Sequence, residues 1–439
     1  MALSRAGKDI FPDKSKTCRA LHNILASQHF WRNLAAGFRP DPTLGSQLDD
    51  YSTKELMQWT LRRLRSQAQL NSSDPLRFHA RMIAFENVEN VGRTDRVELL
   101  SGGRWMFSFH ECGAGYVTDL DEEQPQPRIL FTRPSEYAFH GSCTWVDQDQ
   151  PLPSLYVAVF NHHMKEHQKG NIFRISFKKD SSTTFIVKRL SVIRDGPYQA
   201  IRMSTAVSKE YFIQQITQLH VPEGVSKLQL RRFSPRASTG TMPIVERPIP
   251  ITSGPAHLFF LPGNRIGSIT RNGIEILSFN NSTAADGTAM LDLVSVHHIP
   301  GPHDPDRMSP PFIKSNHIYL LSAYRDTLER IIIDHDTAVP PTSEEIGKVV
   351  YDRSRPTGQA CFGPSTCVLI PSYSKPLLEL ATCEFNAPGA PHISCREYDR
   401  TYDPPLSRPL MALAFDETSG RVVFETDLHK GRPLVMEFI

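Results

Sequence analysis

Two patterns of hydrophobic and polar residues divide the chain. Between Cys18 and Leu34, and again after Ser52, apolar residues recur at spacings of three and four, which is typical of amphipathic helices. From about residue 78, short β-branched and aromatic runs alternate with turn clusters, which is typical of strands. The sequence therefore predicts a helical segment over residues 1–74 and a β-rich domain over residues 75–439.

The second predicted helix has a recognisable start. Ser52 and Glu55 are spaced as a capping box, in which the serine hydroxyl accepts from the Glu55 amide and the glutamate reaches back. One face then carries the apolar residues Met57, Leu61, Leu64 and Ala68. Arg62, Arg63 and Arg65 fall mostly elsewhere, and we interpret them as a solvated face near the end of the helix, where cations suit the helix dipole.

One pattern recurs in the β domain, at residues 97–120, 258–279 and 411–438: strand, glycine turn, strand, polar loop, strand. This order is typical of a propeller blade, and the length suits six or seven blades of about 40–50 residues each. The spacing of the repeats is irregular, so an irregular β-sandwich is the alternative fold. In a propeller, the last strand, Leu434 to Phe438, should pair with Arg81 to Phe85 and so remove an open sheet edge.

Several short motifs resemble one known family. Residues 18–34 contain Cys-Arg-Ala-Leu-His-Asn-Ile-Leu and then Phe-Trp-Arg-Asn-Leu, which resembles the second half of an F-box. Residues 51–62, 99–105 (Leu-Leu-Ser-Gly-Gly-Arg-Trp) and 415–422 are similar to segments of F-box proteins common in mushroom-forming fungi. The F-box is the helical module that docks a substrate receptor onto the Skp adaptor of a cullin–RING ubiquitin ligase.

This resemblance implies a protein-binding module, and specifically a substrate receptor of an SCF-type ubiquitin ligase that binds an unknown protein. The apolar residues then available to contact a Skp adaptor are Leu21, Leu25, Phe30, Trp31 and Leu34. The Leu-Pro…Glu helix that opens an F-box has no counterpart in the residues before Thr17. A stable interface buries about 800 Å² per partner, so we expect weak or absent adaptor binding by the chain as written. The alternative function is a stand-alone propeller scaffold without adaptor docking, and an enzyme with a propeller pocket ranks third.

Composition narrows the choice of partners. The 439 residues carry 49 basic and 47 acidic side chains, a formal net charge of +2, which does not predict a nucleic-acid or membrane-surface partner. The seven cysteines are irregularly spaced and form no CxxC pair, so we expect reduced thiols in an intracellular protein, cytoplasmic or nuclear. No run approaches the ~18 apolar residues of a membrane span, and no signal peptide is expected.

No catalytic constellation stands out. The sequence has no P-loop, no G-x-S-x-G elbow and no H-E-x-x-H helix. The pairs His162-His163 and His297-His298 would point to opposite faces of a strand, so neither pair can chelate a metal by itself. The run Asp334-His335-Asp336 follows a buried-looking strand, and we interpret it as a strand leaving the core. We therefore expect no catalytic, cofactor-binding or metal-binding residues, and binding through long polar loops.

Overall fold

The computed structural model describes residues 24–37, 51–72, 77–84, 92–100, 102–132, 140–147, 153–161, 163–164, 169–178, 181–194, 200–218, 226–233, 244–249, 257–283, 289–301, 308–314, 317–324, 327–348, 359–363, 366–370, 379–382, 394–396, 410–426 and 433–438. Helices α1 (Gln28–Gly37) and α2 (Thr53–Asn71) precede the β domain. The capping box at the start of α2 is confirmed, because Ser52 and Glu55 satisfy each other's backbone amides.

The strands of the described residues form seven antiparallel sheets, which we call blades 1 to 7. The domain begins with strand β1 (Phe78–Met82), which belongs to blade 7. Blade 1 comprises β2 (Thr94–Leu99), β3 (Trp105–His110), β4 (Gly115–Asp119) and β5 (Arg128–Phe131). Blade 2 comprises β6 (His140–Asp147), β7 (Ser154–Asn161), β9 (Lys169–Lys178) and β10 (Ser181–Arg194). Blade 3 comprises β8 (His163–Met164), β11 (Ala200–Val207), β12 (Tyr211–Gln218), β13 (Ser226–Arg232) and β14 (Ile244–Ile249).

The second half of the ring repeats this arrangement. Blade 4 comprises β15 (His257–Leu261), β16 (Arg265–Thr270), β17 (Gly273–Thr283) and β18 (Ala289–Pro300). Blade 5 comprises β19 (Phe312–Lys314), β20 (His317–Tyr324), β21 (Thr327–Asp334) and β22 (Thr342–Lys348). Blade 6 comprises β23 (Gln359–Phe362), β24 (Thr366–Ile370), β25 (Glu379–Thr382) and β26 (Ser394–Arg396). Blade 7 comprises β27 (Leu410–Asp416), β28 (Arg421–Thr426) and β29 (Pro433–Phe438), with β1 as its outer strand.

The blades are arranged as a propeller. Strand β2 contacts both β6 and β27, β11 contacts β6 and β15, and β23 contacts β27, so neighbouring blades meet through their first strands. Buried apolar clusters fill the space between blades; one joins Trp105 and Phe107 of blade 1 to Val157 and Ile175 of blade 2. The predicted propeller is therefore confirmed, and the sandwich alternative is wrong. The three segments in which the blade pattern was recognised are the first three strands of blades 1, 4 and 7.

The ring closes as the sequence predicts. Strand β1 pairs antiparallel with β29, and Arg81 lies opposite Val435. The Ile83 amide donates to the Pro433 carbonyl at 3.0 Å. Ile83 and Val435 are both fully buried in one cluster that spans blades 7 and 1. The N-terminal strand therefore completes a blade whose other strands come from the end of the chain.

An arginine follows the turn between the first two strands in blades 1, 4 and 7. The three turns read Gly103-Arg104, Gly263-Asn264-Arg265 and Gly420-Arg421, and each glycine has a positive φ, between 66° and 75°. At Gly420, a Cβ atom would also lie 2.2 Å from the Phe438 ring, so this position accepts no side chain. Two of the arginines that follow these turns, Arg104 and Arg421, form part of the ion-pair networks described next.

Candidate functional site

Helices α1 and α2 pack against each other through an aromatic cluster. Trp31 is 3% exposed and lies with Leu56 and Trp59 of α2. Its indole Nε1 donates to the Leu25 carbonyl at 2.7 Å, and the Phe30 ring meets it edge-on. Trp31 is thus the buried anchor that the sequence predicts.

The predicted adaptor-binding residues fall in different environments. Leu25, Phe30 and Leu34 are partly buried against the Trp31 cluster. Leu21 lies outside the described residues. The most exposed large apolar residue near α1 is Ile24, which precedes the helix and is 48% exposed. The structure therefore leaves α1 a small apolar surface, because its tryptophan is used to hold α2.

Another side of α2 lies on one face of the propeller. The loops that α2 contacts join the first to the second strand of blades 1 and 7, or follow the third strand of blade 1. Because successive strands of a blade alternate in direction, these loops lie at the same end of the sheets. We call this end the α2 face.

An ion-pair network of two buried arginines and two partly buried carboxylates joins α2 to this face. We call it the α2 docking site; it consists of Arg62 on α2 with Asp121, Arg421 and Glu437 on the propeller. Arg62 Nη2 lies 2.7 Å from Asp121 Oδ1, and Arg62 Nε lies 3.4 Å from Glu437 Oε1. Arg421 Nη1 lies 2.9 Å from the same Asp121 oxygen, and Arg421 Nη2 lies 3.1 Å from Glu437 Oε2. Two guanidinium groups and two carboxylates therefore neutralise one another between blade 7, blade 1 and the helix.

Backbone carbonyls complete the α2 docking site. Arg62 donates to Gly102 O at 3.3 Å, and Arg421 donates to Gly103 O at 2.6 Å and to Leu120 O at 3.3 Å. One turn after Arg62, the Ser66 hydroxyl donates to Glu417 O at 2.7 Å. The site thus fixes the helix by directional hydrogen bonds as well as by charge.

The charges of this site reinforce one another. Burial alone would raise the pKa of Asp121, but Arg62 and Arg421 outweigh it and hold that pKa below its ordinary value. Burial opposes the charge on Arg421, whereas Glu437 and Asp121 raise its pKa. Asp121 and Arg421 therefore remain ionised at neutral pH, and each needs its charged partners in place.

A second ion-pair chain reaches the start of α2. Arg104 Nη2 lies 2.9 Å from Asp119 Oδ2, and Arg104 Nη1 lies 3.1 Å from Glu55 Oε1. Glu55 is also the capping-box residue of α2. The cap that begins the helix is therefore tied directly to blade 1.

The interpretation of Arg62 as part of a solvated face is wrong. Its side chain is 7% exposed and lies in the α2 docking site, whereas Arg65 is exposed as predicted and Arg63 lies over the Trp59 ring. The predicted apolar face is also incomplete, since Leu56, Thr60 and Ser66 are fully buried and Ala68 is exposed. The helix is covered on two sides, and a single amphipathic stripe does not reveal the second.

The site residues that the sequence did not predict each have a recognisable local signal. Arg421 follows a positive-φ glycine turn, and Asp121 follows a strand that ends in Asp119. Both features were visible in the sequence, but their partners are distant along the chain: Arg62 and Glu437 are separated by most of its length. Only the closed ring brings them together.

The other polar motifs form no common site. His297 Nε2 donates to the Thr337 carbonyl at 2.7 Å and His298 is exposed; both residues lie on β18. His163 lies in β8, and His162 lies outside the described residues. Within the described part of the chain, no group of three or more histidine, cysteine or acidic side chains could hold a metal ion. None of the helices described is long and apolar enough to cross a membrane.

Comparisons with known proteins add resemblances of fold alone. No protein-family model and no curated protein matches the chain. Among solved structures, the chain is similar to the β-propeller domain of Myceliophteria thermophila Cps50 (Swd1), with a TM-score of 0.46 and 10% identity over 80% of this chain and 98% of that one. It also matches the WD40 domain of fission yeast SCAP, with a TM-score of 0.39 and 7% identity over 79% and 84% of the two chains. A candidate 6-phosphogluconolactonase from Bacteroides fragilis matches with a TM-score of 0.41 and 10% identity over 75% and 97%. Similarities this distant do not indicate what the chain binds.

Proposed function

We propose that this chain is a protein-binding module in which a propeller recognises one protein and the α1–α2 pair contacts a second. The observation that carries the proposal is the α2 docking site. Buried charges cost free energy unless their geometry is satisfied, and their geometry here specifies one position of α2 on the ring. A protein bound to the helices would therefore be held in a fixed orientation relative to a protein bound to the propeller.

Within this function, the partner proposed for α1 is a Skp-type adaptor, which would make the chain a substrate receptor of an SCF-type ubiquitin ligase. The resemblance of residues 18–34 and 51–62 to F-box proteins supports this assignment. Ile24 is exposed, and Phe30 and Leu34 are partly buried against the Trp31 cluster. We expect a weak complex, because these side chains offer much less than the about 800 Å² per partner of a stable interface.

A stand-alone propeller scaffold is the second candidate. It is favoured by the burial of Trp31, since the largest apolar side chain of α1 packs on Leu56 and Trp59 and is not available to an adaptor. In this case the helices serve to cover the α2 face. Both candidates are binding functions and need no catalytic group.

Titration of the purified chain with a purified Skp adaptor separates the two candidates. The test variant is Ile24→Asp, just before α1, and the matched control is Ile129→Asp, an equally apolar residue that is 58% exposed on β5. Adaptor docking predicts weak binding that the first variant abolishes and the control retains. No binding by the unmodified chain favours the scaffold, and equal loss in both variants rules out a specific contact through α1.

A further inference from the structure

The junction between blades 4 and 5 repeats the α2 docking site, and neither described helix lies on it. Arg265 opens β16 after a glycine turn, just as Arg421 opens β28, and both side chains are 2% exposed. In each case the arginine donates to a backbone carbonyl of the next blade: Arg421 to Leu120 O, and Arg265 to Asp334 O at 2.7 Å. We call Arg265, Asp334 and Asp336 the blade 4–5 site.

The acidic turns of the two sites also correspond. In blade 1, the Asp121 amide donates to Asp119 Oδ1 at 3.0 Å; in blade 5, the Asp336 amide donates to Asp334 Oδ1 at 2.8 Å. Asp119 and Asp334 each end the third strand of their blade. Asp336 therefore occupies in blade 5 the position that Asp121 occupies in blade 1.

The two sites differ in the hydrogen-bond and ion-pair partners of their buried arginine. One oxygen of Asp121 bridges Arg421 and Arg62. Asp336 instead is exposed and accepts from the Ala338 amide at 2.9 Å. Arg265 Nη2 is buried and has no hydrogen-bond partner in the part of the chain that the structure describes. Ser278, which lies opposite Arg265, also replaces the carboxylate that Glu437 places opposite Arg421.

The charged groups of the two sites indicate which partner the blade 4–5 site lacks. In the docking site, the carboxylates of Asp121 and Glu437 each pair with Arg421 of the propeller and with Arg62 of α2. In the blade 4–5 site, the carboxylates of Asp334 and Asp336 interact electrostatically with Arg265, and Asp334 also lies 3.5 Å from His317. No described basic side chain plays the part of Arg62 there. The same loop exposes Val339 beside the carboxylates, an apolar residue that a helix could cover.

We propose that the blade 4–5 site binds a helix of a partner protein that presents an arginine, as α2 presents Arg62 to the equivalent site. The incoming guanidinium binds Asp336, and the carboxylate then bridges it to Arg265 Nη2 as Asp121 bridges Arg62 to Arg421. The inference rests on the proposed protein-binding function and names the chemistry of one partner, but it does not depend on adaptor docking through α1.

The probe for this site is a labelled synthetic peptide of residues 52–72, because it carries the arginine and helix that fit the equivalent site. The chain's own α2 is tethered to its docking site at a high effective concentration, so micromolar peptide does not displace it. Binding to the full chain is measured by fluorescence anisotropy. Two peptide variants distinguish a specific contact from a general effect of charge. Arg62→Gln removes the arginine proposed to bind Asp336, and Arg65→Gln removes an equal charge at a position that α2 leaves exposed.

Protein variants locate the binding. Asp336→Asn keeps an oxygen that accepts from the Ala338 amide. It should lower the affinity for the peptide about tenfold, because hydrogen bonds to charged groups are among the stronger ones. Asp292→Asn changes an exposed carboxylate on β18 and should have no effect. The proposal is overturned if the unmodified chain does not bind the peptide, if the two peptide variants bind alike, or if Asp292→Asn weakens binding as much as Asp336→Asn.

Sedimentation of the chain alone tests whether a second copy of the chain occupies this site. Self-association that Asp336→Asn abolishes would identify a second copy of the chain as the occupant and overturn the assignment to a different protein. A single monomeric species supports it. A negative peptide result leaves the adaptor titration unaffected, because that titration depends on α1 and the peptide depends on blades 4 and 5.

Discussion

At the scale of single residues, the side chains that bear most on this structure are charged ones placed where charge is costly. Arg421 is almost fully buried, and its positive charge is stabilised by two carboxylates and two carbonyl oxygens. Removing one member of such a group leaves the others buried without compensation. A surface ion pair has no comparable effect, because water replaces the lost partner.

We therefore expect Arg421→Gln to lower the free energy of unfolding by about 3–5 kcal/mol. The matched control is Arg232→Gln, which breaks the exposed pair with Glu210 and should change it by about 1 kcal/mol or less. Denaturant unfolding of both variants measures the difference. Similar small losses in the two proteins would mean that the network around Arg421 does not stabilise the fold.

Residue-level prediction from sequence succeeds where one segment contains the whole signal. The capping box needs only Ser52 and Glu55, and Trp31 has an apolar pattern around it, so both are predicted correctly. Arg62 is predicted wrongly because its acidic partners lie in blades 1 and 7. A helix with three arginines gives no local sign of which one is buried.

At the scale of elements, the two covered sides of α2 are held by different kinds of interaction. Its contact with α1 is apolar, and its contact with the propeller is ionic and therefore depends on pH. Arg62 and Arg421 hold the pKa of Asp121 below its ordinary value despite burial. A carboxylate with a lowered folded-state pKa stabilises the fold above its unfolded pKa and loses this contribution as pH falls through the folded value.

Acidification should therefore release α2 before the propeller unfolds. As the pH falls below the ordinary range of aspartate, hydrogen exchange of the α2 amides should rise while that of the blade cores stays protected. Asp121→Asn should show faster α2 exchange at neutral pH and a weaker pH dependence. If α2 exchange in this variant keeps the full pH dependence of the unmodified chain, Asp121 is not the group that titrates.

The apolar contact can be tested separately. Trp31→Ala removes the anchor between the helices and should cost about 3–5 kcal/mol, as for other buried tryptophans. The cost should be confined to the helical pair, so α1 amides should exchange faster while the melting temperature of the propeller stays nearly constant. His29→Ala, at an exposed position of the same helix, is the control. An unchanged α1 in Trp31→Ala would show that the cluster does not hold the helices together.

The strands of the propeller were more predictable than the site on its surface. The blade pattern at residues 258–279 needs only local alternation and turn residues, and it corresponds to β15, β16 and β17. The closing strand predicted at Arg81 to Phe85 is observed earlier in the chain, at Phe78–Met82. Alternation identifies a strand, but the neighbouring strands decide where its pairing ends.

At the scale of the whole molecule, the ring depends on a short strand that is remote in sequence from the rest of its blade. Strand β1 supplies the outer strand of blade 7, and Phe78 packs on Phe438 with ring centroids 4.8 Å apart. Without β1, the edge of β29 would expose unpaired backbone groups along a buried apolar strand, which favours aggregation. The helices attach next to this closure, so the α2 docking site and β1 both join the two ends of the domain.

Deletion of residues 1–84 should therefore open the ring, whereas deletion of residues 1–50 leaves α2 and β1 in place. The first variant loses the β1–β29 pairing and the burial of Ile83 against Val435, and it should melt at a lower temperature and elute as aggregates. The second loses only α1 and residues before α2, and it should elute as a single species with nearly the melting temperature of the full chain. Thermal melts and size-exclusion chromatography of the two variants measure this contrast. Equal behaviour would contradict closure by β1, and would place the stability of blade 7 in β27, β28 and β29 alone, because those three strands are all that the first deletion leaves in that sheet.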